Sequence, residues 1–476
     1  MLLLRDEETL AASLSQVREH TAFTRDVLSG KADLRHEHGR KLVRTLEAAA
    51  RSPMYEGRLG ADLRRRLAAG ELTSDRALDE ELPELPLLSK RNLSDSGAAA
   101  FTRPLHSFLH YYESSGTTGN PAPAPKAIDD LVTNTINIGE MWRRFLQPSD
   151  VALILINAPF APAAYQFEKV LEYLEIMSLR PWVDNITGDY SRVLRLINEL
   201  GANVFVGPPS RLLEMVQFAH RKGLAPPRFE RLLLMAEQTG EAFQQHLSRL
   251  TGATPYVAAY GSSETGTIAV TCERRQLHIQ VQSYVLELAD GDRVRRLSGQ
   301  NERGELIVTT LDVPSRPLLR YRIGDLVEID YAGCACGLAT PVLRTLGRAQ
   351  DVLTFSGSGV RQDELEAVLW AADLPAPVVF NYMLVVRERA VVCLVTTDGD
   401  PDPAWSAELG ARLGRLFGGF SVAVRPVAVL PPLASLGQYL GWKLSRVLDL
   451  NDAANWDRLP EPIGGIVRAT LATLDD

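Results

Sequence analysis

The sequence predicts an α/β protein with a parallel sheet, followed by a smaller α+β domain. Three observations carry this. Short apolar runs, VALILINAP (151–159), ANVFVGPP (202–209), RLLLMAE (231–237) and YVAAYG (256–261), alternate with amphipathic stretches long enough to be helices, which is the pattern of βαβ units. After ELIVTTLD (305–312) the pattern turns to β-rich hairpins around YRIGDLVEID (321–330). Beyond Arg348 three strand-like runs alternate with two helical stretches. A chain of 476 residues is too long for one core and suits two or three domains.

The elements follow in order. Residues 1–75 carry Leu, Ala, Arg and Glu at helical spacing, broken at Gly30, Gly60 and Gly70, and predict surface helices. ELPELPLLSKRNLSD (81–95) reads as an extended entry and a short helix. From about 105 to 310 the βαβ alternation holds, with helices near 165–177, 210–222 and 240–250. A boundary near 347–351 separates a domain of residues 1–347 from one of residues 348–476. The second has strands in VVFNYMLVV (378–386), AVVCLVTT (390–397) and FSVAVRPVAVL (420–430), and helices at 361–371 and 405–417.

Composition narrows the function classes. Hydrophobic residues make up 45% and charged residues 23%, the balance of an ordinary globular protein. The net charge of −8 argues against a nucleic-acid or anionic-membrane partner. MLLLRDEETLAASL (1–14) has only three leucines before charge begins, which fits neither a signal peptide nor a membrane span and predicts a cytoplasmic protein. Four cysteines are too few for a disulfide scaffold.

The stretch YESSGTTGNP (112–121) packs small, hydroxyl-bearing and flexible residues behind the β-prone FLHYY. Such a cluster is either a surface loop or a phosphate cradle, in which glycines let backbone N–H groups approach an anion and hydroxyls add donors. It has no Gly-Lys-Ser/Thr and no G-x-G-x-x-G. Three further polar motifs follow in order: YGSSETG (260–266), YRIGD (321–325) and GRAQDVLTFSGSGV (347–360), and then Lys443 in QYLGWKLSRVLDL.

In this order the motifs resemble those of the adenylate-forming superfamily, and within it the phenylacetate-CoA ligase and coenzyme F390 synthetase branch. SPMYEGRL (52–59), LPLLSKRNL (85–93) and GWKLSRVLDL (441–450) are similar to that branch's SPFY, LPFTTK and GK-RV-D segments. The resemblance implies a large N-terminal domain of parallel sheets and helices with a small β-rich subdomain, and a smaller mobile α+β C-terminal domain carrying the catalytic lysine. The implied activity is that of an ATP-dependent, AMP-forming ligase. It activates a small acid as acyl-AMP, releases pyrophosphate, and passes the acyl group to CoA, a carrier-protein thiol or an amine.

Site residues follow from the same resemblance. Ser114, Ser115, Gly116, Thr117, Thr118 and Gly119 are expected around the β- and γ-phosphates of ATP, and Glu264 is expected to bind Mg2+, as a hard cation among phosphate oxygens requires. Tyr260 and Gly261 are expected against the adenine, with Ser262 also binding ATP, Asp325 at the two ribose hydroxyls, and Arg348 at the ribose or a phosphate. Lys443 is expected to neutralise charge in the adenylating transition state, with Gln350 at the hinge.

The substrate pocket is expected to include Tyr165, Glu168, Pro208, Ala236, Glu237 and Gly261. Relatives are glycine-rich where this chain has APFAPAAYQFEKVLEYL (158–174), so an aryl acid other than phenylacetate is expected, in specialised metabolism. An ATP-dependent diazotase acting on nitrite and an aromatic amine is the alternative, and a non-catalytic nucleotide-binding regulator a second. A homodimer is left open.

Cys272 and His278 in AVTCERRQLHIQ, with Cys334 and Cys336 in YAGCACG, form two close pairs that offer Cys₃His ligation of a structural Zn2+. Free thiols beside a pocket-facing histidine are the competing reading. Cys393 lies in a strand-like run and is expected in the core.

Overall fold

The computed structural model describes residues 6–114, 121–157, 161–183, 188–291, 293–347, 353–355, 358–418, 420–430, 446–451 and 461–472. These group into two compact units. The first comprises Met1–Asp150, Ala158–Met177 and Val257–Arg348, and the second Val151–Asn157, Ser178–Tyr256 and Ala349–Asp476. The chain thus passes from one unit to the other between Arg348 and Ala349.

The second unit holds the parallel sheet. Its strands are β1 (Val151–Ile154), β2 (Met177–Leu179), β3 (Val204–Gly207), β4 (Arg231–Leu234) and β5 (Thr254–Val257), in the order β2-β1-β3-β4-β5. β1, β3 and β4 are almost wholly apolar because helices cover both faces of such a sheet, so alternation is lost and a continuous run remains. The helices Pro209–Arg221 and Glu241–Thr251 lie between the strands as expected, and Ser191–Leu200 is a further helix that the sequence reading did not place.

The antiparallel sheet of the first unit contains β6 (Ala259–Ser262), β7 (Gly266–Thr271), β8 (Leu277–Ile279), β9 (Tyr284–Asp290), β10 (Arg293–Arg296), β11 (Glu302–Thr310), β12 (Tyr321–Asp330) and β13 (Val342–Gly347). Their order is β10-β9-β11-β12-β13-β8-β7-β6. Two sequence expectations are corrected here. The parallel alternation ends at Val257 rather than near 310, and YVAAYG is two strands in two sheets. The carbonyl of Ala258 marks the break, accepting from the Thr271 amide at 3.2 Å and the Trp142 indole at 3.4 Å. An apolar run states that a strand is buried and leaves open which sheet it joins.

Helices Glu7–Leu28, Leu34–Ala49 and Ala61–Ala69 form the N-terminal region, with a core of Leu42, Leu46, Leu63 and Leu82 among others. Lys90–Ser96 is the short helix expected after the extended entry, and Ser89 and Asn92 close it with a reciprocal capping box. Helix Ile128–Trp142 is buried along nearly its whole length. It is tied to the first helix by His20 to Asn137 at 2.8 Å and by the bidentate Arg25 to Glu140 pair at 2.8 and 3.0 Å.

Residues beyond 348 contribute the pair β14 (Leu353–Phe355) and β15 (Ser358–Val360) and a four-stranded sheet. The latter is ordered β18-β17-β16-β19, with β16 (Val379–Arg387), β17 (Ala390–Thr397), β18 (Ser421–Pro426) and β19 (Val447–Asp449). Helices Gln362–Leu369 and Pro403–Gly414 complete the α+β pattern. β19, which pairs in parallel with β16, is among the strands that the sequence reading missed, as are β2, β14 and β15; three residues are too few for periodicity to register. Among the described residues no helix is long and apolar enough to cross a membrane.

Candidate nucleotide and metal sites

The phosphate-loop candidate sits between two short antiparallel arms. His110 pairs with Lys126 and Glu113 with Pro123, and the Ser114 amide donates to the Ala122 carbonyl at 3.0 Å. The Ser114 hydroxyl accepts from the Ala122 amide at 2.9 Å, so this side chain fastens the neck of the loop. Ser115, Gly116, Thr117, Thr118 and Gly119 lie outside the described residues, as do Arg348, Gln350 and Lys443.

YGSSETG forms β6, a tight turn and the start of β7. Residue 261 must be glycine, because a Cβ there would stand 2.1 Å from the Gly266 carbonyl oxygen. Gly266 has φ +75°, a conformation that side chains resist. Within the turn the Thr265 hydroxyl accepts from the Ser262 amide at 3.1 Å, and the Thr265 amide donates to the Ser262 hydroxyl at 3.2 Å. Ser262 therefore shapes the turn.

Glu264 is buried at the turn's apex. One carboxylate oxygen lies 4.0 Å from the Lys90 ammonium and accepts a long, 3.4 Å bond from the Tyr321 hydroxyl. Three consecutive carbonyls of the turn are held from three separate segments. Lys126 Nζ donates to Ser263 O at 3.0 Å, Arg316 Nη2 to Glu264 O, and Tyr284 Oη to Thr265 O at 2.8 Å. A cavity of about 20 Å³ behind the turn is lined by Lys126, Asp130, Asn134, Thr265 and Tyr284 among others.

The charges around this turn are perturbed. Burial, with Arg316 adding repulsion, lowers Lys126 to about 8. Burial, with Asp129 adding repulsion, raises Asp130 to about 6, against the hydrogen bonds from Ser315 and the Ala127 amide. Arg316 is fully buried and its proton affinity falls for the same reason, partly offset by Glu264 and Asp130.

Asp325 owes its position to a bulge. β12 pairs Leu326 with Glu305 and Arg322 with Ile307, so Ile323–Asp325 fall between the paired positions of the ladder. Bulges re-aim side chains at sites of this kind. Tyr260 Oη donates to Asp325 Oδ2 at 2.8 Å, bringing two of the expected nucleotide residues together.

The expected pocket residues are divided between the units. In the first, Tyr165 and the half-buried Glu168 lie on helix Ala163–Tyr173. The Tyr165 ring packs 4.3 Å from that of His110, with Lys169 Nζ 5.2 Å over it. In the second, Pro208 begins helix Pro209–Arg221 as its N-cap, and Ala236 adopts φ +66°, rare for a residue with a side chain. Glu237 accepts from the Ser210 hydroxyl and amide, and burial raises its carboxyl.

Cys272, His278, Cys334 and Cys336 converge, with all ligand atoms within 4.8 Å of one another. Cys272 and Cys334 sulfurs are 3.9 Å apart, and Cys336 Sγ is 3.2 Å from His278 Nε2. Tetrahedral zinc with bonds of about 2.3 Å to sulfur requires sulfurs about 3.8 Å apart, so the donor set fits the ion. His278 Nδ1 faces the Thr340 carbonyl at 2.8 Å, which turns the lone pair of Nε2 toward the thiols. Burial pushes the Cys272 thiol up to about 12, a proton that a cation would displace. Cys393 is buried in β17 as expected.

Sequence reasoning did not single out Lys126, Tyr284 or Arg316. Each looks like an ordinary solvated or core residue in its stretch, and only the fold brings them to one turn.

Residues 79–311 match the family described as AMP-binding enzyme. Phenylacetate-coenzyme A ligase of Thermus thermophilus is 27% identical over 405 residues, covering 78% of this chain and 87% of that protein. The phenylacetate-coenzyme A ligase of Escherichia coli is 25% identical over 351 residues, covering 71% and 75%. Among solved structures, 2-hydroxyisobutyryl-CoA ligase in the postadenylation state, in complex with R3-HIB-AMP, superposes with a TM-score of 0.70 at 17% identity, over 92% of this chain and 91% of that one. The superposition gives the fold of an adenylate-forming ligase, and the family match with the two relatives supports an AMP-forming ligase. Within that class the chain is a relative of the phenylacetate-CoA ligases.

Proposed function

We propose that this ligase activates a small aryl carboxylic acid as its acyl-adenylate and transfers the acyl group to CoA. The observation carrying this reading is the grouping in one compact unit of the Tyr260–Asp325 pair, the buried Glu264 turn and the neck of the phosphate loop. The names of the two relatives supply the acid class and the acceptor.

In this reading Asp325 accepts from both ribose hydroxyls and Tyr260 holds its carboxylate in place while lying against the adenine. Gly261 leaves room for the base. Glu264 is the carboxylate for Mg2+; a single buried carboxylate fits an ion that takes its other ligands from phosphates and water. When bound there, Mg2+ would supply neutralisation of phosphate charge. Residues 114–119 grip the β- and γ-phosphates, Arg348 reaches the ribose, and Lys443 neutralises charge at the α-phosphorus as pyrophosphate leaves. No covalent enzyme nucleophile is required, since the substrate carboxylate attacks and the protein's task is placement and electrostatics. The domain of residues 348–476 then turns to present a second face for thioester formation. Zn2+ on Cys272, His278, Cys334 and Cys336 is structural, and the enzyme acts in the cytoplasm in specialised metabolism.

ATP–pyrophosphate exchange over a panel of benzoates, cinnamates, phenylacetates, amino-aryl acids and nitrite tests the reading, with mass spectrometry of the CoA products. Exchange with an aryl acid and formation of its CoA thioester is expected. Exchange with nitrite alone would assign a diazotase, and release of ADP in place of AMP would overturn the reading.

A further inference from the structure

We propose that Lys126, Tyr284 and Arg316 are positioning residues that hold the Glu264 turn in register for its metal ion. The inference rests on the reading of Glu264 as the Mg2+ ligand.

Their geometry is specific. Three successive carbonyls, Ser263, Glu264 and Thr265, are each taken by a side chain from a different part of the first unit. Lys126 comes from the return arm of the phosphate-loop neck, where its own amide bonds the His110 carbonyl at 2.9 Å. Tyr284 opens β9. Arg316 comes from the loop between β11 and β12, next to Ser315, which bonds Asp130. Glu264 therefore cannot move without breaking bonds to three segments, and the phosphate-loop neck and the metal carboxylate share one anchor in Lys126.

The cost of this arrangement argues that it is used. Burying an arginine and a lysine carries a desolvation penalty for each ion. Among the described residues Arg316 Nε and Nη1 have no hydrogen-bond partner, and its direct bond is the one from Nη2 to the Glu264 carbonyl. A turn needing only stability would be better served by apolar packing, which fills space without stranded donors. Lys126 and Arg316 behind the turn also face the Glu264 and Asp130 carboxylates, and Lys90 stands 4.0 Å from Glu264. A ligand carboxylate held by outer partners binds its ion in one orientation with little to reorganise.

The test measures Mn2+, in place of Mg2+, by electron paramagnetic resonance with the whole chain and β,γ-methylene-ATP. Arg316→Met and Lys126→Met are expected to weaken Mn2+ binding about 10- to 100-fold, the range for loss of outer-sphere support. Arg316→Lys is expected to recover part of that loss, and affinity for the nucleotide without metal is expected to hold. Tyr284→Phe removes one hydroxyl from an otherwise unchanged core and serves as the mild probe if either Met variant fails to fold; it is expected to weaken Mn2+ binding about 3- to 10-fold. Native Mn2+ affinity in the folded variants would overturn the proposal. Glu264→Gln separates the two layers: if it also binds Mn2+ normally, the reading of Glu264 falls, whereas if it alone loses the ion, only the positioning role falls.

Discussion

The Tyr260 hydroxyl donates to the Asp325 carboxylate at 2.8 Å, linking an edge strand of the eight-stranded sheet to one in its interior across 65 residues of chain. A carboxylate accepting from a phenol is fixed in direction before any ligand arrives, so two ribose hydroxyls would meet a preset acceptor. Asp325→Ala is expected to weaken ATP binding about 10- to 100-fold, and Tyr260→Phe about 3- to 10-fold, as loss of charged and single hydrogen bonds predicts. Isothermal titration calorimetry with ATP checks both. Native affinity in Asp325→Ala would remove the ribose assignment.

Lys443→Ala is expected to lower ATP–pyrophosphate exchange about 100- to 1000-fold, the scale of one lost transition-state charge contact. Equilibrium ATP binding should hold, and so should thioester formation from a supplied acyl-adenylate. Equal loss in both half-reactions would place Lys443 outside the adenylating step.

The Cys/His cluster is expected to carry about one zinc per chain by elemental analysis, as a closed four-ligand site does. Cys334→Ser should lose the metal and lower the melting temperature. Full-length native protein free of zinc after growth in zinc-supplemented medium, with an unchanged melting temperature in the variant, would count for free thiols.

Glu366, on helix Gln362–Leu369, has no solvent exposure, and burial pushes it up to about 7 from its usual 4.5. Its Oε1 accepts from Tyr382 at 3.0 Å and Gln362 at 2.5 Å, while Oε2 has no hydrogen-bond partner among the described residues. Below about 4.5 the carboxyl is protonated in both states and contributes its full share. As pH rises toward 7 only the unfolded chain gives up the proton, so this contribution falls, by about 3 kcal/mol, and then levels. Glu366→Gln should remove that dependence, gaining on the native protein between pH 4.5 and 7.5 in denaturant titrations. A difference that stays constant with pH would mean Glu366 is ionised in the fold.

Much of the secondary structure was legible because period and punctuation agree. The helix expected near 240–250 forms at Glu241–Thr251, and AVVCLVTT is β17 to the residue. Asp325 and Glu264 were singled out through motif order, and the four Cys/His residues that converge in the fold through residue type and pairing. The sequence reading failed where partner choice mattered. YVAAYG carries one apolar signal and serves two sheets, because strand propensity encodes burial and says nothing about which edge a strand will meet.

The sequence pointed to the class through the resemblance of its motif order to the adenylate-forming superfamily: the hydroxyl and glycine cluster, the acidic YGSSETG and the YRIGD segment are local features, and local features survive in one dimension. Tertiary structure decided what stands behind them. Lys126, Tyr284 and Arg316 are separated by more than a hundred residues of chain at their widest and meet at three adjacent carbonyls only after the sheet and the buried helix have packed. Long-range hydrogen bonds of this kind depend on the path of the whole backbone, so no window of sequence contains them.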